Sequence, residues 1–460
     1  MRLLLLNIID DEREVEKLFD NLGLAYISAC LKKNIKDIQI NFAHIANIQQ
    51  FEKKIELYRP DIIGISTVSQ NFGTAINIAR HCKDKDIPII IGGTHISMLP
   101  QSLDKSMDIG ILGEAEITIV ELLKTFQKNN GFKQNKLEKI KGLVFYKRGK
   151  LIFTPHRKLI ENIDSIPFPD RSILNINLNK VMLISSRGCP YNCIFCASKR
   201  FWKKARFHSP MYVISEIEEV HKKYKPKEIL FFDDLFIANT NRLRQIVDLI
   251  VKRGIHKKIY FTVQCRANLV NDELCRLLKR MNVKVVMMGI ETGSQPVLRY
   301  LKDNVTIKEN EDSIRLLKKY GFNVACFFII GTPLDTEKRL EETLTFIKRN
   351  QLDIFEVYFL TPHPGTPIWN YAEKKGLVSH DMQWEKLKFG FSRIKKLDDI
   401  NRALVLSGLD KKLLFNYYNK MLSQKKLRKL FFIIRSGFKY PYLIMPYITK
   451  KIKLIGKNLV

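Results

Sequence analysis

The sequence predicts an α/β protein: an open parallel sheet at the N-terminus, then a second series of βα units, then a basic and mainly helical C-terminal region. Three observations carry that prediction. Short, Ile-rich apolar runs alternate with amphipathic stretches from the first residues to about residue 112. The same alternation resumes near residue 181, and runs of this kind read as strands buried on both faces, the habit of parallel sheets. From about residue 381 the alternation gives way to helices and irregular chain, and residues 401–460 carry 14 Lys or Arg against one acidic residue, Asp410.

At 460 residues the chain is long enough for two domains and an appendage, with boundaries expected at 1–150, a linker at 151–176, 177–378 and 379–460. The net charge of +31 suits an anionic surface or substrate, and it equally suits a Lys-rich host composition. The apolar stretch 1–9 runs straight into Asp10, Asp11 and Glu12 with no cleavage-site pattern, and no run of 18 apolar residues occurs. A cytoplasmic location is therefore expected. Of the eight cysteines, three crowd together, while Cys30, Cys82, Cys265, Cys275 and Cys326 stand singly in apolar surroundings. That is the pattern of a metal site beside ordinary buried thiols, not of a disulfide framework.

In the first domain, strands are expected at 3–9, 37–43, 61–67, 87–93 and 108–112, with helices at 24–31, 73–81 and 114–126, a Rossmann-like arrangement. Ligands of such sheets sit beyond the carboxyl ends of the strands. Those ends read Ser66, Thr67, Val68, Ser69, Gln70, Asn71, then Gly92, Gly93, Thr94, His95, then Gly113, Glu114. Glycine and small hydroxyl residues there admit a large planar or phosphate-bearing ligand to the backbone; the plainer alternative is that Gly92 and Gly93 only turn the chain.

A strand at 181–185 feeds into Cys189, Cys193 and Cys196, spaced C-x3-C-x2-C in a loop with Gly188 and Pro190. Three thiolates so spaced can each take one iron of a cubane and leave the fourth iron without a protein ligand. A zinc site would need a fourth ligand, and the next histidine, His208, is twelve residues on. Further strands are expected at 228–232, 260–265, 284–290, 323–330 and 354–360, with helices at 211–224, 239–253, 307–320 and 335–349. Polar residues after those strands are the candidates for chemistry.

The cysteine spacing, the preceding Arg187-Gly188 and the aromatic Phe195 resemble the signature of the radical S-adenosylmethionine (SAM) superfamily. The resemblance implies a partial (β/α)6 TIM-type barrel. It also implies a 4Fe–4S cluster whose open iron chelates SAM, cleavage of SAM to a 5′-deoxyadenosyl radical, and an external electron donor such as flavodoxin or ferredoxin. It implies SAM contacts by Phe195, Arg206, Asp233, Asp234, Glu291, Gly293 and Ser294; Asp234 has a turn-capping alternative, and Arg206 a role in steadying the cluster loop or an ordinary surface role. Cys265 and Cys326 read instead as small buried hydrophobes. After the last strands, 331–333 and 361–367 match two further family segments, and His363 in the second is a candidate for the substrate side.

The stretch 58–66 and Gly92-Gly93-Thr94-His95 resemble the cobalamin-binding domain that precedes many radical SAM enzymes, and the proline-rich 166–171 resembles its connector. By that likeness a corrinoid would lie on Ser66, Thr67, Ser69, Gln70, Gly92, Gly93, Thr94, His95, Gly113 and Glu114. No Asp-x-His-x-x-Gly motif occurs, so either cobalt has no protein histidine beneath it or the domain has lost the cofactor. The broad type is the cobalamin-dependent group that includes methyltransferases and the anaerobic magnesium-protoporphyrin monoester cyclase. C-methylation of an unactivated carbon in a small-molecule or lipid-like substrate is the leading expectation. A radical cyclisation, oxidation or rearrangement is the first alternative, and RNA modification or a non-catalytic iron–sulfur protein a further one. Nucleic acid is not expected as a partner, since no RNA-binding module appears. The tail, with Phe431, Phe432, Ile433, Ile434, Phe438, Tyr440, Tyr442, Leu443 and Ile444 among its lysines and broken by Pro441 and Pro446, has two open roles: peripheral contact with the inner membrane face, or packing on the barrel.

Overall fold

Two parallel sheets organise the chain, and each forms where the apolar runs stand. The computed structural model describes residues 1–10, 21–390 and 394–437. In the first sheet β1 (Arg2–Ile8), β2 (Gln39–Ile45), β3 (Ile62–Ser66), β4 (Ile89–Gly92) and β5 (Ile109–Ile111) are parallel, in the order β2-β1-β3-β4-β5. Leu3 to Leu6 are at most 2% exposed because both faces of β1 are covered. The order reverses direction at β1, and the loops beyond the carboxyl ends of β3, β4 and β5 lie on the same edge.

Two strands absent from the expected set, β6 (Leu143–Lys147) and β7 (Lys150–Phe153), extend this sheet as an antiparallel hairpin. Their turn is Arg148-Gly149, both left-handed with φ of 49° and 77°, the two-residue turn that suits a twisted hairpin.

The second sheet is the partial barrel: β8 (Lys180–Leu183), β11 (Glu228–Phe231), β12 (Tyr260–Cys265), β13 (Val283–Glu291), β14 (Asn323–Ile330) and β15 (Ile354–Phe359), all parallel and paired in sequence order. Between β8 and β11 a two-stranded antiparallel ribbon, β9 (Ser186–Arg187) with β10 (Arg206–Phe207), clips together the two ends of the cysteine loop. Helices Pro210–Tyr224, Thr240–Lys252, Asp272–Arg280, Ile307–Lys319 and Glu337–Arg349 return the chain between strands. Each starts at a side-chain cap, in turn Ser209, Asn239, Asn271, Thr306 and Thr336.

Alternation along the strands sorts residues between two environments. Val286, Met288, Cys326, Phe328, Val357 and Phe359 join the core under the helices, while Met287, Phe327, Ile329 and Tyr358 between them face the lumen and stay half-buried. Cys265 and Cys326 are buried free thiols of the outer core, as the sequence suggests, and burial pushes the Cys326 thiol up to about 12.

The two domains share apolar contacts. Leu22, Ala25, Tyr26 and Cys30 of helix Leu22–Asn34 pack with Ile163 and Ile166 of the linker and with Met182 and Leu230 of the barrel. At the other end, Leu414, Tyr417, Tyr418 and Met421 of helix Lys411–Gly437 enter the barrel core, and the Tyr418 ring lies 5.6 Å from that of Phe359. The beginning of the basic C-terminal region thus packs on the barrel. Side chains from 425 on, including Phe431, Phe432, Ile433 and Ile434, and all of 438–460, with Phe438, Tyr440, Tyr442, Leu443 and Ile444, lie outside the described residues. Among the described residues no helix is long and apolar enough to cross a membrane.

Burying a large apolar side chain is worth about 1.5–3 kcal/mol, and four such residues anchor the C-terminal helix. Truncation after Asp410 is therefore expected to lower the thermal unfolding midpoint by several degrees. A truncated chain that melts with the full-length protein would contradict this packing.

Candidate active site

The cysteine loop leaves its ribbon at Gly188, which has φ 90°; a Cβ there would stand 2.7 Å from the Lys204 carbonyl and 2.8 Å from the Trp202 Cβ. Only glycine fits so close a crossing. The loop is then tied to the barrel by its backbone: Ile194 N donates to Leu301 O at 3.1 Å, and Ile368 N donates to Ile194 O at 3.3 Å. Cys189, Cys193 and Cys196 are free and half-buried. Burial raises the Cys196 thiol to about 12, with Asp234 and the other two cysteines adding to the effect. Among the described residues no three such side chains converge on a single-ion position.

The strongest electrostatic feature is a buried cluster joining this loop to the first domain. Glu114, which follows β5, accepts from Arg187 Nη1 at 2.7 Å on one oxygen; on the other it accepts from Arg206 Nη1 and from the Ile160 amide, both at 2.8 Å. Arg187 Nη2 also donates to Glu116 at 2.5 Å. All four side chains are under a tenth exposed. The Trp202 ring lies 5.5 Å from the Arg187 guanidinium and 5.7 Å from that of Arg206. Burial alone would raise the Glu114 carboxyl; the Arg206 hydrogen bond and the Arg187 charge outweigh it and hold the group below its usual range. Glu114 and Arg206, expected on two different cofactors, are thus each other's partners, although Arg206 Nε and Nη2 have no partner among the described residues.

A cavity of about 340 Å³ lies between the domains. Ser66, Gly92, Gly93 and Gly113 line it from the first sheet; Ile184, Ser186, Phe232 and Asp234 line it from the barrel. Leu5, Gly64, Ile65, Ile90, Leu24 and Ile119 also line it. A Cβ at Gly92 or Gly113 would meet nothing within 4 Å, so both glycines leave open the space a flat ligand needs. At Gly93, with φ 102°, a Cβ would stand 2.7 Å from the Thr67 carbonyl, so glycine is required there by the backbone. Glycines and apolar side chains in one lining would admit a corrinoid.

The remaining expected corrinoid residues divide. Thr94 is exposed, and the Thr67 hydroxyl turns back to the Val68 carbonyl at 3.1 Å. His95 points away from the cavity: Nδ1 meets Ser69 Oγ and Nε2 meets Ser102 Oγ, each at 2.9 Å, with the Phe72 ring 3.9 Å away and Trp384 at 4.5 Å. Burial lowers its pKa to about 3, so it is a neutral strut between two hydroxyls. Gln70 is buried, its Oε1 without a partner among the described residues.

The expected SAM residues divide as well. Asp234 lines the cavity, accepts from the Gly188 amide at 3.0 Å, and is raised by burial. Asp233 spends its oxygens on Ser185 N at 2.6 Å, Ser185 Oγ at 2.5 Å and Ser186 N at 3.2 Å, holding the turn from β8 into the ribbon. Glu291 ends β13 in a left-handed conformation (φ 67°), a position that costs a non-glycine residue energy. Its carboxylate takes Lys302 Nζ at 3.1 Å, and the same ammonium donates to Gly289 O at 2.5 Å. Gly293 faces the helix behind the sheet instead, where a Cβ would stand 2.6 Å from Glu342 O and Phe346 Cβ; Ser294 is buried before helix Gln295–Leu301, its hydroxyl without a partner among the described residues. Phe195 packs in the apolar cluster shared by the two domains. His363 is half-buried, and its carbonyl accepts from Thr366 at the start of helix Pro367–Lys374.

Sequence reasoning passed over Arg187 as a charge, and also Glu116, Arg266 and Lys302. Arg187 and Arg266 were legible as cations beside buried strands; Lys302, eleven residues past Glu291, carried no pattern. Arg266 Nη1 reaches Cys193 Sγ at 3.5 Å.

With this geometry in place, comparison with known proteins is direct. Residues 183–347 match the radical SAM superfamily model and residues 13–123 match the B12 binding domain model. The chain is 31% identical over 379 residues, 79% of its length and 81% of the relative's, to an uncharacterized methyltransferase of Pyrococcus horikoshii. It is 25% identical to the anaerobic magnesium-protoporphyrin IX monomethyl ester cyclase of Cereibacter sphaeroides, over 88% of this chain and 67% of that one. Its fold matches that of OxsB, a cobalamin-dependent SAM radical enzyme with aqua-cobalamin and SAM bound, at a TM-score of 0.67 and 17% identity, over 99% of this chain and 75% of that one.

Two variants test the reading of these residues. Glu114→Gln leaves two buried arginines short of charge and is expected to cost roughly 3–5 kcal/mol at pH 7. Because the folded Glu114 pKa lies below the ordinary 4.5, this contribution is present above 4.5 and is lost as pH falls through the folded value. Denaturant melts of variant and wild type should therefore converge in acid; a gap that persists unchanged there would count against the ion cluster. Gly293→Ala should destabilise the barrel by about 1–3 kcal/mol through overpacking, with cluster content per folded protein unchanged; selective loss of SAM affinity without loss of stability would return Gly293 to the ligand.

Proposed function

Because the chain belongs to the radical SAM superfamily, with a B12-binding domain ahead of its radical SAM domain, we propose that it performs cobalamin-dependent methylation of an unactivated carbon in a small, largely apolar substrate. The observation that carries this reading is the single chamber: Asp234, beside the cysteine loop, and Gly92 and Gly113, on the corrinoid side, line one cavity. When bound, the cluster supplies an electron that cleaves SAM homolytically, and cobalamin supplies a carrier for a methyl group.

The chain's own part is to hold and to exclude. Cys189, Cys193 and Cys196 would hold three irons; Asp234 stands where a SAM ammonium would find a carboxylate; the Glu291–Lys302 pair sets the lip of β13. Phe232, Met287, Phe327, Ile329 and Tyr358 offer an apolar lumen that keeps water from a reactive carbon centre. These residues support a substrate of low polarity, lipid-like members included. The net charge of +31 supports an acidic electron donor of the flavodoxin or ferredoxin class, steered by long-range attraction. The likeness to a methyltransferase at 31% identity favours methyl transfer. The likeness to the anaerobic cyclase keeps a second reading, radical ring formation, on the same scaffold.

The test uses SAM with a deuterated methyl group and anaerobically reconstituted protein carrying cobalamin, under reduction. Methyl transfer predicts label in the corrinoid fraction by mass spectrometry, alongside 5′-deoxyadenosine. Release of 5′-deoxyadenosine with no label on the corrinoid would favour the ring-forming reading.

A further inference from the structure

Arg266 is a buried cation with no ion-pair partner among the described residues. It follows β12 and is 5% exposed. Its Nη1 donates to Cys193 Sγ at 3.5 Å, its Nε donates to Asn268 Oδ1 at 3.0 Å, and its Nη2 donates to the Asp303 carbonyl. The guanidinium carbon lies 3.8 Å from the centre of the Tyr191 ring, and Asn268 Nδ2 donates to the Tyr191 hydroxyl at 3.3 Å. Among the described residues its contacts are therefore a sulfur, an amide, a carbonyl and a ring, and none is a carboxylate. Other deeply buried arginines of the site have carboxylates near: Arg187 and Arg206 have Glu114, Arg171 has Glu216 at 2.6 Å, and Arg242, which donates to the His208 and Ser185 carbonyls, has the charges of Asp233 and Asp164 close by.

A guanidinium out of water among neutral partners is costly unless a negative charge stands near it. The Cys193 sulfur, 3.5 Å away, would bring such a charge once the cysteine loop is loaded. Charge and N–H donors at the sulfurs are among the levers that set the potential of an iron–sulfur cluster, since both favour the form carrying the extra electron.

We propose that Arg266 is a positioning and tuning residue for the cluster, acting through Cys193 to make its one-electron reduction easier. The electron itself comes from an external low-potential donor; no bond in the protein is made or broken. Tyr191, itself inside the cysteine loop, fixes the plane of the guanidinium, so the same contact steadies the loop and sets the charge beside it. The inference rests on the cluster-bearing reading of Cys189, Cys193 and Cys196.

The experiment is an anaerobic redox titration of the full-length, reconstituted protein without SAM, with dithionite and low-potential dyes, followed by electron paramagnetic resonance and normalised to iron and sulfide. Arg266→Met is expected to shift the ratio of reduced to oxidised cluster at least tenfold toward the oxidised form, about 59 mV more negative for a one-electron couple. Arg266→Lys, which keeps the charge, should recover most of that shift, and corrinoid content should match wild type in both. A fully loaded Arg266→Met protein with an unmoved potential would overturn the proposal. If Arg266→Met holds no cluster, Arg266→Gln is compared with Arg266→Lys: a higher potential for lysine supports the proposal, while equal potentials, or loss of the cluster from both, show a merely structural role and overturn it. A wild-type protein that binds no cluster would sink the underlying reading instead.

Discussion

The geometry of the reactive centre depends on one buried carboxylate. Glu114 stands at the carboxyl end of a strand of the first sheet, and it takes the two arginines that begin and end the cysteine loop's ribbon, Arg187 and Arg206. A charge removed from water must be paired, and pairing in low dielectric is strong only at good geometry. The pair of domains is thereby held in one relation, with the corrinoid-side glycines facing the cluster-side loop.

The other contacts follow from that constraint. The linker supplies Ile160, whose amide and carbonyl meet Glu114 and Arg206, and Asp164, which accepts from Ser209 N at 3.0 Å as helix Pro210–Tyr224 begins. Gly188 crosses under Lys204 because the ribbon's two strands must lie side by side. Segment 301–303 then closes the far side of the loop: Leu301 holds the Ile194 amide, Lys302 holds Glu291, and Asp303 holds Arg266. Lys302 and Arg266 are charged and buried, an arrangement that costs stability unless it serves a site.

The number of parallel strands was legible because doubly buried strands leave continuous Ile, Leu and Val runs, as in Leu3 to Leu6. The hairpin 143–153 was not, because its outer strand, Lys150–Phe153, has no buried face to mark it. The cysteine loop was legible from its spacing and its flanking Arg187-Gly188, and the ribbon closes it where that pattern stands. Charged residues were harder: Glu114 and Arg206 each stood out, yet nothing local says that two residues 92 positions apart share a hydrogen bond. Glycine was ambiguous for a physical reason. Gly92 borders open space, whereas Gly293 is small to admit a helix, and both read alike in sequence. His95 looked like a ligand because it is a histidine on a binding loop; its burial against Phe72 and Trp384 depends on a segment nearly three hundred residues later in the chain.

The central claim is that the corrinoid and the cluster occupy one chamber held shut by Glu114, and the most direct measurement is magnetic. Protein loaded with both cofactors is poised with cobalt as cobalt(II) and the cluster reduced, and its electron paramagnetic resonance spectrum is compared with those of singly loaded samples. The account predicts broadening or splitting of the cobalt signal when the cluster becomes paramagnetic, as two spins in one cavity require. Two independent, unperturbed signals at full occupancy of both cofactors would contradict it.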